Sequence, residues 1–444
     1  MLAMINVAAV CSVRNWPITA EYGFSSLFFF VCAALLFIIP VSLVSAELAT
    51  AWPKTGGIYI WVKEAFGQKW AFLAVWLLWL ENVIWYPTVL SFVGGAIAYA
   101  IYPNLANHPY YLVTVISVVF WGATLINLLG MRISGWVSTL GVILGTVIPA
   151  ALIITLGALW YFSGKPLQIT LSYASLIPDM SQVSQLVLFS SVLLSFSGLE
   201  MSAIHAGSVD HPKKNYPKAI FLSALFILAL SVLGVLAIAF VIPQKEISLT
   251  AGSLQAFAYF LSAYNLNWML PYVAILIALG ALGSISTWIA GPSKGLMIAA
   301  QSGDLPPAFS KVNRHGMPTL LLITQAILIT FLSLLFIFMP SFNSAYFLLS
   351  TLAIELYLLM YILMFAAAIY LRYKKPNVDR PYKIPCGNTG MWIVSGIGLL
   401  ACFGTFMIGF VPPAQIHIGS PTFYISFLII GTLLSCLIPT LIKK

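Results

Sequence analysis

The chain has 444 residues, of which 61% are hydrophobic and 7% charged, and its mean hydropathy is +1.01. So few charges cannot keep the surface of a soluble domain wet, which excludes a soluble globular fold and predicts an all-α, polytopic membrane protein. The formal net charge of +9 resides in short loops between apolar segments, so it is a topology signal that suits anionic lipid headgroups and argues against nucleic acid.

Crossing about 30 Å of hydrocarbon takes roughly twenty apolar residues. Segments of that kind are predicted at 2–21, 25–47, 70–101, 110–130, 136–162, 185–206, 217–242, 268–300, 317–339, 344–372, 390–411 and 421–442, about twelve transmembrane helices. With the N-terminus inside, all but three of the 20 Lys and Arg fall on the cytoplasmic side; Lys165 and Lys245 lie outside and Arg14 lies within a membrane segment. Both termini are therefore expected in the cytoplasm. Cys11, Cys32, Cys386, Cys402 and Cys436 are scattered without a CxxC pair, so neither a disulfide framework nor a metal site is implied. No cofactor is expected, since no ATP-binding loop or nucleophile arrangement is present.

In chain order, the first segment is interrupted at VCSVRNWP, Val10 to Pro17. Ser12, Arg14 and Asn15 are groups that lipid cannot satisfy, and Pro17 removes a backbone donor and crowds the preceding turn. A second half-helix is expected from there to Gly23. Met1 already lies in apolar sequence without a charged leader, so no signal peptide is expected and a start upstream of Met1 stays open. The second segment ends in Glu47 and runs into WPKTGGIYIWVKEAFG, where Pro53, Gly56 and Gly57 predict a structured turn with Tyr59 and Trp61 as interface aromatics. The third carries Glu81, an ionisable group inside the membrane and thus a functional candidate by default.

The connection from Ser163 to Gln182, with Pro166, Pro178 and Asp179, reads as a short polar loop. The sixth segment then places Ser195, Ser197, Gly198 and Glu200 near its middle. A continuous helix would leave these groups unsatisfied in lipid, so this helix too is expected to break. A basic linker follows, VDHPKKNYPKA, with His205 and His211 at its border and a helix restart expected near Pro217. In the tenth segment Tyr357 and Tyr361, four residues apart, share one helical face. Glu355 lies off the predicted breaks.

Breaks in segments one and six are the pattern of inverted-repeat transporters, in which half-helix N-termini point positive dipole ends at an anion and unwound carbonyls receive cations. Because five segments separate the breaks and five is odd, the second copy would be inverted in the membrane. The expected organisation is a single transporter domain over 1–444, with a first repeat at 1–162, a second at 185–372 and two additional helices at 390–442.

Four stretches carry a family resemblance: FIIPVSLVSAELATAWPKTGGIYIWV (Phe37 to Val62), SFSGLEMSAIHAGSVDHPKKNYPKA (Ser195 to Ala219), TWIAGPSKGLMIAAQSGDLPPAF (Thr287 to Phe309) and RPYKIP (Arg380 to Pro385). The chain resembles the amino acid, polyamine and organocation transporters over its whole length, and within them the bacterial glutamate/γ-aminobutyrate antiporters. The resemblance implies a LeuT-like fold with discontinuous helices one and six, a secondary transporter rather than an enzyme, and a bacterial cytoplasmic (inner) membrane. It assigns substrate roles to Glu200 after the second break and to Trp288, Tyr357 and Tyr361, and sets the backbone of Val10, Cys11 and Ser12 against the substrate's α-carboxylate; Ser197 and Gly198 are substrate-site candidates from the break itself. Three positions depart from that pattern: Arg14 stands where a tyrosine is found, Asn15 where a glutamate is found, and Ser284 where a second substrate-site glutamate is found. The resemblance would also imply a C-terminal tail that plugs the cytoplasmic mouth, and no such plug is expected from residues up to Lys444.

The expected partners are an amino acid or amine substrate and the bilayer, with Glu200 and Glu81 as candidates for proton coupling. An exchanger of the glutamate/γ-aminobutyrate type is one reading; a proton-coupled symporter of neutral or cationic amino acids or polyamines is the other. A nutrient sensor would need a domain to pass on a signal, and a channel a repeated pore loop, and neither is visible. Arg14 has three readings: an ion pair with Glu200, a bidentate contact to a substrate carboxylate, or a side chain snorkelling to the outer surface.

Overall fold

The structure, a computed structural model, describes residues 2–178, 189–193, 195–208, 211–248, 251–339, 342–412 and 420–442. Asp179, the start of the sixth predicted segment at 185–188, and Lys443 and Lys444 lie outside the described residues, as do the side chains of His205 and Lys213. Every regular element among the described residues is helical.

The helices are α1 (Leu2–Val10), α2 (Trp16–Ala20), α3 (Gly23–Ala51), α4 (Ile58–Phe66), α5 (Gln68–Ile101), α6 (Pro109–Leu128), α7 (Met131–Phe162), α8 (Pro212–Val241), α9 (Gly252–Ala263), α10 (Leu270–Gln301), α11 (Thr319–Phe338), α12 (Phe342–Lys374), α13 (Gly387–Gly409) and α14 (Pro421–Ile442). Among the described residues, 10 helical segments are long and apolar enough to cross a membrane. The first predicted segment is not among them, because it is divided after Val10, and the sixth lies partly outside the described residues. The helix after the basic linker begins at Pro212 rather than near Pro217, since proline fits the first helical turn, where its missing N–H would be unpaired anyway.

Two long helices widen into a π turn, Ala34–Ile38 in α3 and Ile143–Val147 in α7. Each lies just ahead of a proline, Pro40 and Pro149. The ring removes a donor and presses on the carbonyl four residues back, and the wider turn absorbs that clash. The second of these turns puts Gly145 against Gly280 of α10, so close that a Cβ on either would overlap the other's backbone. Gly141 and Gly283 repeat the contact one turn away, with 2.8 Å between a Cβ on Gly141 and the Gly283 Cα. Lipid is as apolar as leucine, so close backbone approach of small residues is what holds α7 to α10. A buried polar cluster ties α6 to the same pair: Asn127 donates to Ser286 at 3.2 Å and Ser134 donates to Asn127 at 2.9 Å.

The lysine-rich end is held differently. Arg372, at the end of α12, donates from Nε and Nη2 to the two oxygens of Glu47 in α3, at 2.6 Å each. The Ile384 amide donates to the same carboxylate at 2.8 Å, and Arg380 Nε lies 3.3 Å from it. RPYKIP is therefore a loop closed onto Glu47. Nearby, Lys374 donates to the Ala65 carbonyl at 3.0 Å and Lys375 pairs with Glu64. Tyr59 and Trp61, expected as interface aromatics, are instead buried at 0% and 1% exposure. The reason is that α4 packs inward on α5 and α12, where the Tyr59 hydroxyl donates to Asp304 at 2.8 Å.

Candidate functional site

Helix α1 stops at Val10. Cys11 and Ser12 are non-helical, Ser12 being extended (φ −149°, ψ 124°), and the chain resumes as a 3₁₀ turn at Val13–Asn15 followed by α2. The last carbonyls of α1 have no intrahelical donor and need one from elsewhere. The Trp288 indole N–H of α10 supplies it to Ala9 at 3.0 Å, and the Ser253 hydroxyl of α9 donates to the Val13 carbonyl beyond the break. Two other helices thus hold the first break open. Within it, the Ser12 amide has no hydrogen-bond partner among the described residues.

The second break lies between a helical turn over 189–193 and the 3₁₀ segment Leu199–Ser208. Gly198 turns the chain there with φ +105°, a conformation cheap only for glycine. Its missing Cβ also lets the Trp288 ring lie against the break, since a Cβ would come within 2.8 Å of that ring. The Gly198 N–H donates to the Tyr361 hydroxyl at 2.9 Å. The hydroxyls of Tyr361 and Tyr357 each donate to one oxygen of Glu200, both at 2.6 Å. The broken backbone is so tied to α12 through one carboxylate. The two tyrosine rings stack at 4.8 Å, and Trp288 sits edge-on to Tyr357 at 6.2 Å and 5.9 Å from Trp85.

Between the breaks lie two adjoining cavities of about 90 and 50 Å³. Arg14, Asn15, Glu81, Trp85, Ser195, Ser197 and Tyr357 line both; the smaller adds Val10 and Trp288, the larger Tyr346. A third cavity, of about 660 Å³, lies among α1, α7 and α10, with Met4, Arg132, Trp136 and Thr287 in its walls.

Arg14 is 6% exposed and forms no ion pair with Glu200. It donates from Nη1 to the Tyr346 hydroxyl at 3.0 Å, and its guanidinium carbon lies 5.4 Å from the Trp85 ring centroid. The ion-pair reading fails because the guanidinium turns to Tyr346 and Trp85, while Glu200 is held on the other side of Tyr357 by its bonds to Tyr357 and Tyr361. The snorkelling reading fails because the side chain is buried among aromatic groups. Glu81 accepts from the Asn82 amide at 2.6 Å and shares the cavity walls with Arg14.

Of the residues singled out in sequence, Val10, Arg14, Ser197, Glu81, Trp288 and Tyr357 come together around one cavity. Cys11, Ser12 and Gly198 shape the breaks behind it. Glu200 and Tyr361 stand behind the Tyr357 wall, and Ser284, one turn from Trp288, is buried without lining either small cavity. Sequence reasoning passed over Trp85 and Tyr346. Their signal was periodic: Trp85 lies four residues after Glu81, and Tyr346 lies three helical turns before Tyr357.

The sequence profile of amino acid permeases matches residues 2–434. The chain belongs to the amino acid permease family. This permease is 47% identical over 443 residues to an uncharacterized transporter of Legionella pneumophila, covering 100% of this chain and 95% of that protein. It is 34% identical over 446 residues to the glutamate/gamma-aminobutyrate antiporter of Lactococcus lactis subsp. lactis, covering 99% and 88%. It superposes on the crystal structure of MhsT in complex with L-phenylalanine with a TM-score of 0.60 at 15% identity, over 92% of this chain and 98% of that one. At that identity the likeness concerns the fold, which is the LeuT-like arrangement expected. The permease is a multi-pass membrane transporter of the amino acid, polyamine and organocation superfamily and not an enzyme.

Proposed function

We propose that this permease is an antiporter that exchanges an amino acid bearing an acidic side chain for a related amino compound by alternating access. One observation carries the reading: a buried arginine lines the cavity between the two breaks with no carboxylate partner among the described residues. A guanidinium presents five N–H donors in a planar fork, and here Tyr346 takes one of them. The remaining donors are free for a carboxylate. The unpaired Ser12 amide suits the α-carboxylate, and Glu81 with Tyr357 suits the ammonium group. The narrow cavities between the breaks, set apart from the wide one among α1, α7 and α10, are consistent with a site enclosed in this conformation, as one state of alternating access requires. The identity to the Lactococcus antiporter supports exchange.

The test is counterflow in proteoliposomes. Internal glutamate or γ-aminobutyrate is expected to accelerate uptake of labelled glutamate. A rate indifferent to internal substrate and driven by an imposed proton gradient would instead establish the symporter. In competition assays, Arg14→Tyr is expected to weaken acidic substrates by about tenfold to a hundredfold relative to neutral ones, the worth of one hydrogen bond between charged groups. An unchanged preference would reduce Arg14 to packing.

A further inference from the structure

Glu355 lies on α12, on the face turned from the cavity. Two residues advance a helix by about 200°, so while Tyr357 lines the cavity, Glu355 meets α13 and α14. It is 0% exposed, and neither carboxyl oxygen has a hydrogen-bond partner among the described residues. The packing is shaped around this carboxyl, because a Cβ at Gly409 of α13 would collide with Glu355 Oε1. The nearby donors are committed elsewhere: the Tyr424 hydroxyl of α14 donates to the Gly409 carbonyl at 2.8 Å, and Thr351 donates to the Phe347 carbonyl at 2.9 Å.

No cation faces the group either. Helices α13 and α14 contain no Asp, Glu, Lys, Arg or His among the described residues; their titratable groups are Cys402, Tyr424 and Cys436. Helix α5, also packed on α12, carries Lys69 in its first turn, Tyr86 and Tyr99, and its Glu81 faces the cavity. Helices α3 and α4 keep Glu47, Lys63 and Glu64 at the lysine-rich end, where Arg372, Ser302 and Lys375 engage them. An ionised carboxylate at Glu355 would therefore be a buried charge with neither donor nor counter-ion.

We propose that Glu355 is a proton-binding site at the junction of α12 with the last two helices, separate from the substrate cavity. In the conformation described here it holds its proton, and it releases that proton when α12 moves away from α13. The step breaks the carboxyl O–H bond, leaves the electron pair on the oxygen and passes the proton to water. Because α12 also carries Tyr357 and Tyr361, proton occupancy and the state of the substrate cavity are linked through one rigid helix, and the linkage is reciprocal.

Infrared spectroscopy of the purified permease without substrate tests the site independently of what is transported. The wild type is expected to show the carbonyl band of a protonated buried carboxyl at neutral pH, and Glu355→Gln to lose it. Thermal melting gives the sign: the folded state binds a proton that the unfolded state has released, so wild-type stability falls as pH rises, and the glutamine variant removes that slope. The slope corresponds at most to about a tenfold loss in the folding equilibrium per pH unit. If Glu355→Gln accumulates poorly, Glu355→Asp keeps an acid and is expected to shift the same band. A band untouched by either variant, or an identical pH slope in the glutamine variant, would overturn the proposal.

Discussion

Glu47→Ala is expected to cost about 3–5 kcal/mol of stability, the largest effect of any single substitution at the lysine-rich end. Glu47 and Arg372 are 1% and 4% exposed, so the alanine variant leaves a guanidinium buried without its counter-charge. It also strands the Ile384 amide and loosens Arg380, so the RPYKIP loop loses the group that closes it onto α3. Melting of the detergent-solubilised protein measures the loss. Arg372→Leu in the Glu47→Ala background removes the orphaned charge, and the double variant is expected to be more stable than Glu47→Ala alone. A double variant as unstable as the sum of the two singles would mean that the residues act separately. Since this pair joins α3 to α12, which carries Tyr357 and Tyr361, surviving protein is also expected to exchange substrate more slowly.

The second large effect is at Glu200. Leucine there leaves the Tyr357 and Tyr361 hydroxyls buried without an acceptor, and each such bond to a charged group is worth roughly 1.5–3 kcal/mol. The loss falls on the break itself, because Tyr361 also accepts from the Gly198 amide. Uptake by reconstituted Glu200→Leu is expected to drop by about a hundredfold or more, corresponding to the lower bound of roughly 3 kcal/mol for the two bonds together. Glu200→Gln keeps one oxygen acceptor and is expected to fall between. Full uptake by the leucine variant would take Glu200 out of the transport mechanism.

The difference between these two sites reflects how they could be read. Glu200 stood out because a carboxylate beside a glycine and two hydroxyls in an apolar segment violates what lipid tolerates, and that violation is local. Glu47 gave no such signal. It closes a predicted segment, as many interfacial acids do, and its partners lie 325 and 337 residues away. Arg14 lies between the two cases: its place in a membrane segment marked it as costly, yet its partner could not be guessed. Tyr346 and Trp85 take it instead of Glu200, whose carboxylate is bonded to Tyr357 and Tyr361.

The sequence by itself determined the membrane class, the positions of the two breaks and the family. These follow from apolar run length, from polar groups that lipid cannot satisfy, and from motifs contiguous in the chain. Only the tertiary structure decided which side chains satisfy the broken backbone, that Glu200 serves two tyrosines rather than an arginine, and that Glu355 lies unpartnered against Gly409. Those outcomes depend on which helix faces meet, and in a bundle apolar almost all round the sequence period leaves those faces nearly indistinguishable.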